Sequence, residues 1–319
     1  MKENEKKPSY TDGVRGLAAS VLRDSGDILS IDESKLEVLA QKLVAFSQTN
    51  SPMGPNAGDL LSAENELGLN LFLDVVNFCY KDPYSGEEYA YTNKDGKVVK
   101  RATGLKEAML QSGFAWGNTY DVSHMENGDW GNIVQLEQNP HFYLGAERGK
   151  RIMFFARILR DIGFSKASDL VEFCDYDVGR ALFFLGRSGY FTDEFEKRSQ
   201  LAVGMMNSVL VRRFSKNFEG METLTVMADY RLPQVMYNAG LIRLNPGLLE
   251  TLNSQKIIET GSKEERALRA ATVVMGKRLS GVMGIPEAEV DTHLWMLSQK
   301  MAKENELTIP HMIVATDKY

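Results

Sequence analysis

The 319-residue chain is poor in cysteine, in histidine and in excess positive charge. Its two cysteines, Cys79 and Cys174, stand far apart and inside apolar runs. That predicts buried, inert thiols and excludes a disulfide framework. The four histidines, His124, His141, His293 and His311, are scattered. Neither HExxH nor paired CxxC occurs, so no metal site is expected. His124 lies among Asp121, Glu126 and Asp129, a group that can in principle hold a cation, but polar loops of this kind are ordinarily just solvated. The glycine patterns GxxxxGK[S/T] and GxGxxG are also missing, which removes P-loop and Rossmann nucleotide binding. Lysine and arginine number 37 against 43 acids, for a net charge of -6. Duplex binding draws most of its affinity from phosphate contacts, so long nucleic acid is a poor partner for this chain. A small anion held by a few basic side chains remains open. No apolar run approaches the 18 residues of a membrane span. The opening Met1–Pro8 is polar, unlike a secretory signal, and a cytoplasmic location is the default expectation.

What is present reads as an ordinary globular core: 43% hydrophobic and 25% charged residues. Helical periodicity recurs along most of the length. Lys35 to Phe46 places its apolar residues largely on one face, with Asp32 or Ser34 as the cap. Ser62 to Cys79 is a second helix-like run. Between residues 80 and 101 the pattern changes. The turn signals Asp82-Pro83 and Asp95-Gly96 flank Glu88–Thr92 and Lys97–Lys100, which predicts a β-hairpin. Asn245-Pro246 and Ile285-Pro286 mark two helix starts, and Gly240 and Gly281 are the stops before them. The expectation is a mainly α fold over 1–319 as a single helical domain, with a disordered tail over 1–10 and a hairpin over 80–101.

Three stretches place charge inside apolar sequence. In Leu224–Met236, Asp229 and Arg231 interrupt a run that reads as core. Pro233 forbids a continuous helix there, so the chain kinks or restarts beside Asp229. Asp229 is then either a site carboxylate or a capping acid paired with Arg231. In Pro286–Leu297, Asp291 lies past the first helical turn and shares a face with Leu294 and Trp295, so it needs a partner, from the protein or from a ligand. Lys197-Arg198 near the start of a helix is either a solvated face or a phosphate contact.

Together these stretches resemble the queuosine-salvage proteins, the queuosine 5'-phosphate N-glycosylases. Thr225-Val226-Met227-Ala228-Asp229-Tyr230-Arg231-Leu232-Pro233-Gln234-Val235 resembles the family signature T-x-F-A-D-Y-R-x-P-Q-V. Asn77-Phe78-Cys79-Tyr80 resembles N-F-C-F-W, Lys197–Leu201 resembles K-R-A-Q-I, and Val290–Trp295 resembles L-D-x-x-L-W. The end, from Ile309-Pro310-His311 to Tyr319, resembles a basic tail.

The resemblance implies an all-α fold with a small hairpin, similar to helix-hairpin-helix DNA glycosylases. It implies hydrolysis of the N-glycosidic bond of queuosine 5'-phosphate or a related 7-deazaguanine nucleotide, with no cofactor. The partner is then a small modified nucleotide or nucleobase; oligomeric state stays open. The family continues its L-W segment with an acid where this chain has Met296, which moves the catalytic assignment to Asp229, with His293 behind it. Asn77, Phe78, Tyr230, Arg231 and Trp295 become substrate-binding positions, with Asp291 reading the base. Lys197 approaches the phosphate, helped by His311 or Lys318. The alternative is a divergent binder that retains the pocket without hydrolysis. A helical scaffold with no ligand is the remaining class.

Overall fold

The computed structural model describes residues 9–49 and 61–319. The first eight positions of the expected tail lie outside the described residues. Helices dominate, with short strand pairs between them. By its internal contacts the chain forms two compact units. One takes residues 1–52, 194–196 and 220–313; the other takes 53–193, 197–219 and 314–319.

In the first unit the Asp12–Arg23 helix packs on the long Lys263–Met283 helix. Val14, Ala18 and Val21 close a core with Phe195, Ala228, Ala270 and Val273. Asp32 caps a short turn by accepting from the Ser34 N–H, and the Leu36–Thr49 helix follows. Leu29–Ile31 pairs antiparallel with Ile242–Leu244. The Asn245-Pro246 start is as expected: the Asn245 side chain accepts from Leu248 N–H at 2.7 Å and proline opens the Pro246–Asn253 helix. Pro286 stands one position earlier than expected, at the cap of Glu287–Lys303. The expected stop at Gly281 is wrong. The helix runs on to Met283, and Gly284 takes the left-handed conformation (φ +68°) that ends it.

In the second unit the Ala63–Val75 helix is central. Ser62 caps it, and every residue from Glu66 to Val75 is buried. The Lys197–Val209, Ala167–Phe173, Arg101–Gln111 and Gly145–Asp161 helices pack around it. The contact is close: a Cβ on Gly68 would fall 2.1 Å from the Trp116 carbonyl oxygen. The hairpin forms as expected from Ala90–Thr92 and Val98–Lys100, with Tyr91 opposite Val99 and Gly96 at φ +76° in its turn. It is fastened by Tyr89, buried and stacked on Phe142 at 4.1 Å.

Candidate functional site

The segment before Asp229 is not helical. Residues 224–230 run without regular structure, and the seven-residue Leu232–Asn238 helix starts just beyond, with Pro233 in its first turn. The restart near the proline is therefore as expected, and the apolar run before it is irregular and not helical. Leu224 to Ala228 are all buried, so their backbone groups need partners from elsewhere in the fold. The Asp291 carboxylate accepts from Met227 N–H at 2.9 Å. Arg269 donates Nε–H to the Ala228 carbonyl at 3.0 Å. Arg15 reaches the Thr223 and Leu224 carbonyls and pairs with Glu287. Gly276 admits the segment's Val226, which would stand 2.2 Å from an added Cβ. Asp229 then follows at the segment's end, half-buried, with Oδ1 accepting from the Arg231 N–H at 2.8 Å. That bond closes a local Asx turn that leads into the helix.

Around Asp229 in the same unit lie several of the expected binding residues. Tyr230 and His311 meet ring to ring at 5.1 Å, and the Arg231 guanidinium lies 5.9 Å from the Tyr230 ring. Gln234 ties in the Ile309 carbonyl at 2.7 Å, which anchors the approach to His311. His293 is buried, and no described hydrogen-bond partner reaches its Nδ1. Trp295, expected to share a buried face with Asp291, is 46% exposed on the Glu287–Lys303 helix. Leu294 takes the inward position instead.

The second unit holds Asn77, Phe78 and Lys197. Asn77 donates to Asp74 Oδ1 at 2.8 Å and accepts from the Tyr80 hydroxyl at 2.9 Å. Its amide is thus occupied on both sides. Phe78 is buried, with the Arg148, Arg198 and Arg151 guanidinium carbons 4.0, 5.3 and 5.5 Å from its ring centre. This is an arginine-clasped core residue, not an open stacking face. Arg148 is fully buried and donates to the Val76, Cys79 and Tyr143 carbonyls. Arg198, equally buried, donates to the Asp74, Val75, Tyr190 and Lys318 carbonyls. Both guanidinium groups are drawn down to about 10 by burial, and both remain cationic at neutral pH. They serve the orphan carbonyls at the end of the Ala63–Val75 helix, which is why it stops four residues short of the expected Cys79. Lys197 is only 6% exposed, so the Lys197-Arg198 pair is no solvated face.

Sequence reading passed over Asp74. It lies on an internal polar stripe, Glu66, Asn70 and Asp74, one residue per turn on the buried part of the helix. The four-residue spacing of polar types inside an apolar run was the available signal. Glu66 is met by Arg212 at 2.6 Å and Arg213 at 3.6 Å. Burial pushes the Asp74 carboxyl up to about 6, against the hydrogen bond from Asn77 and the charges of Lys197, Arg198 and Lys106. No hydrogen-bond donor among the described residues reaches its Oδ2. Both cysteines are free; Cys174 is buried as expected, Cys79 is only half-buried, and burial raises each to about 11. No cluster of three or more metal-ligating side chains occurs among the described residues, and none of their helices is long and apolar enough to cross a membrane.

Known proteins match most of the chain. Residues 62–316 match the queuosine salvage protein family. A relative from Sphaerobacter thermophilus, named queuosine 5'-phosphate N-glycosylase/hydrolase, is 27% identical over 248 residues, covering 72% of this chain and 75% of its own. A Dictyostelium discoideum protein of the same name is 30% identical over 260 residues, 72% of each chain. A Mus musculus protein, also of that name, is 28% identical over 113 residues, 32% of this chain and 33% of its own. With four fifths of its length inside one family's bounds, and the Asp-Tyr-Arg-Leu-Pro-Gln string within them, the chain belongs to the queuosine salvage protein family.

Proposed function

We propose that this protein hydrolyses the N-glycosidic bond of queuosine 5'-phosphate, releasing the free base for salvage. The reading is carried by the names of its relatives over 72% of the chain, together with the placement of Asp229. A carboxylate held half-buried at the end of a braced segment is suited to a cationic transition state. Breaking a ribosyl–base bond builds oxocarbenium character on the sugar and requires water as nucleophile. One carboxylate serves both needs, by its charge and as general base. A 7-deazaguanine lacks the N7 acceptor of guanine, so protonating the leaving base helps less. Charge stabilisation at the sugar carries correspondingly more of the work. Asp229 takes that role here, and Met296 stands where the family signature has an acid. His293 is the reserve acid–base group.

Asp291 reads the donor edge of the base while it braces the Asp229 segment through Met227. Tyr230, Arg231, Trp295 and His311 complete the contacts to the ligand. Lys197 takes the phosphate: a lysine on which the fold spends burial is suited to a compact dianion. The ligand is a small nucleotide, and no cofactor enters.

The direct test incubates the protein with queuosine 5'-phosphate and with its nucleoside, and follows free base by mass spectrometry. Base is released from the nucleotide. Nucleotide that binds and stays whole makes the protein a non-hydrolytic binder. Replacing Lys197 with Met raises KM for the nucleotide by about 10–100-fold, the worth of one charge-assisted contact of about 1.5–3 kcal/mol. The nucleoside, which lacks the phosphate, is bound equally by both proteins. Asp291→Ala weakens calorimetric binding of free queuine by about tenfold or more. Unchanged affinity would reduce Asp291 to a brace.

A further inference from the structure

Asp74 is the buried titratable group that the proposed chemistry leaves unused. The Lys197–Val209 helix brings Lys197 and Arg198 to it, and the Arg101–Gln111 helix brings Lys106. Arg198 also donates to the Asp74 carbonyl at 3.2 Å. The other packed elements put their groups elsewhere. Arg212 and Arg213 of the Leu210–Phe214 turn face Glu66, two turns away. Arg148 of the Gly145–Asp161 helix takes the Val76 carbonyl. The Ala167–Phe173 helix meets the start of the stripe, where Ser168 N–H donates to Glu64 at 2.7 Å. Asp317 and Asp193 also act on Arg198, and Asp193 accepts from the Lys197 N–H at 2.9 Å, but both are only half-buried, so Asp74 is the fully buried carboxylate set among three cations at this end of the stripe. Its Oδ1 is held by Asn77, and among the described residues no hydrogen bond reaches its Oδ2.

A phosphate monoester seated on Lys197 changes that balance. It brings up to two negative charges to cations that otherwise offset the carboxylate. Two anions sharing one buried cluster repel, and a carboxyl in low dielectric relieves the repulsion most cheaply by becoming neutral. We infer that Asp74 is the proton acceptor of the phosphate subsite: it takes up one proton from solvent as the monoester binds and returns it when the monoester leaves. The inference rests on the phosphate role of Lys197. It makes Asp74 a positioning residue that acts through the lysine cluster, and it couples ligand binding to pH. The group sits near the threshold already, because burial alone has moved it up to about 6. Folding responds in the matching direction. A carboxyl raised in the folded state contributes stability at low pH, and that contribution is lost as pH rises from the ordinary carboxylate range through about 6.

The test is titration calorimetry at pH 7 in buffers of different ionisation enthalpy. Asp229→Asn serves as the background, so that bound queuosine 5'-phosphate is not consumed. The expected result is close to one proton taken up per nucleotide bound, and none with the nucleoside. Adding Asp74→Asn, which keeps an acceptor for Asn77, abolishes the uptake. Lys106, lowered by burial, is the competing source, and uptake that persists with Asp74→Asn but disappears with Lys106→Met overturns the assignment. The Asp229→Asn chain with Asp74 intact gives a second reading that needs no Asp74 variant. The affinity ratio of nucleotide to nucleoside falls as pH rises from 6.5 to 8, by up to tenfold per unit. A flat ratio overturns the inference. Failure of both ligands to bind at any pH instead removes the proposed function.

Discussion

Asp229→Asn binds queuosine 5'-phosphate nearly as well as the wild type and cleaves it about 10³-fold more slowly. Asparagine has the same shape and retains an oxygen to accept from the Arg231 N–H, so the turn into the Leu232–Asn238 helix stays closed. What disappears is the charge. An anion that matters most when the sugar becomes cationic contributes little to ground-state binding, so kcat falls while KM barely moves. Single-turnover kinetics with calorimetric Kd values make the separation. Equal loss of binding and turnover would turn Asp229 into a ligand-positioning group and shift the chemistry toward His293.

Arg269→Ala destabilises the protein by about 3–5 kcal/mol, measured by chemical denaturation. Arg269 and Glu265 lie one helical turn apart, each 2% exposed, with Nη1 and Oε1 3.1 Å apart. Removing the guanidinium strands a buried carboxylate and leaves the Ala228 carbonyl without its donor. The Phe195 ring, 4.8 Å from the guanidinium carbon, also loses its cation. The double variant Arg269→Met, Glu265→Leu recovers a large part of the loss, because a pair replaced by apolar volume leaves no uncompensated charge. Recovery is incomplete: Ala228 and the Gly261 N–H, which donates to Glu265 at 3.0 Å, both lose partners. A single and a double variant of equal stability would show the ion pair to be irrelevant. Since Ala228 adjoins Asp229, the double variant also turns over more slowly than its stability alone explains.

Local signals were the legible ones. Asn245-Pro246, the Asp95-Gly96 turn and the proline restart after Asp229 depend on neighbours in sequence, and each appears where expected. Elements whose partners are far away were not legible. Leu224–Ala228 is apolar enough to suggest a helix, yet it runs irregular because Asp291, Arg269 and Arg15 satisfy its backbone from distant positions. The end of the Ala63–Val75 helix is set by Arg148 and Arg198, some 70 and 120 residues on, and neither leaves a mark near Val75. Asp74 escaped notice because a stretch of helix buried on all sides has no polar face against which an inward acid stands out. The Lys197-Arg198 pair was visible as charge, but only packing distinguishes an interior pair from a solvated one.

The tryptophans divide along the same lines as the two units. Trp116 and Trp130 are sealed in one of them, their indole N–H groups donating to the Met109 and Gly145 carbonyls at 2.9 and 2.8 Å. Trp295, in the other, stands on a helix surface. The chain thus carries its own pair of optical labels: a blue-emitting set shielded from iodide, and a single red-shifted emitter open to it. Light from this protein can therefore be sorted by unit without attaching a dye, and melting of each unit can be followed in its own colour.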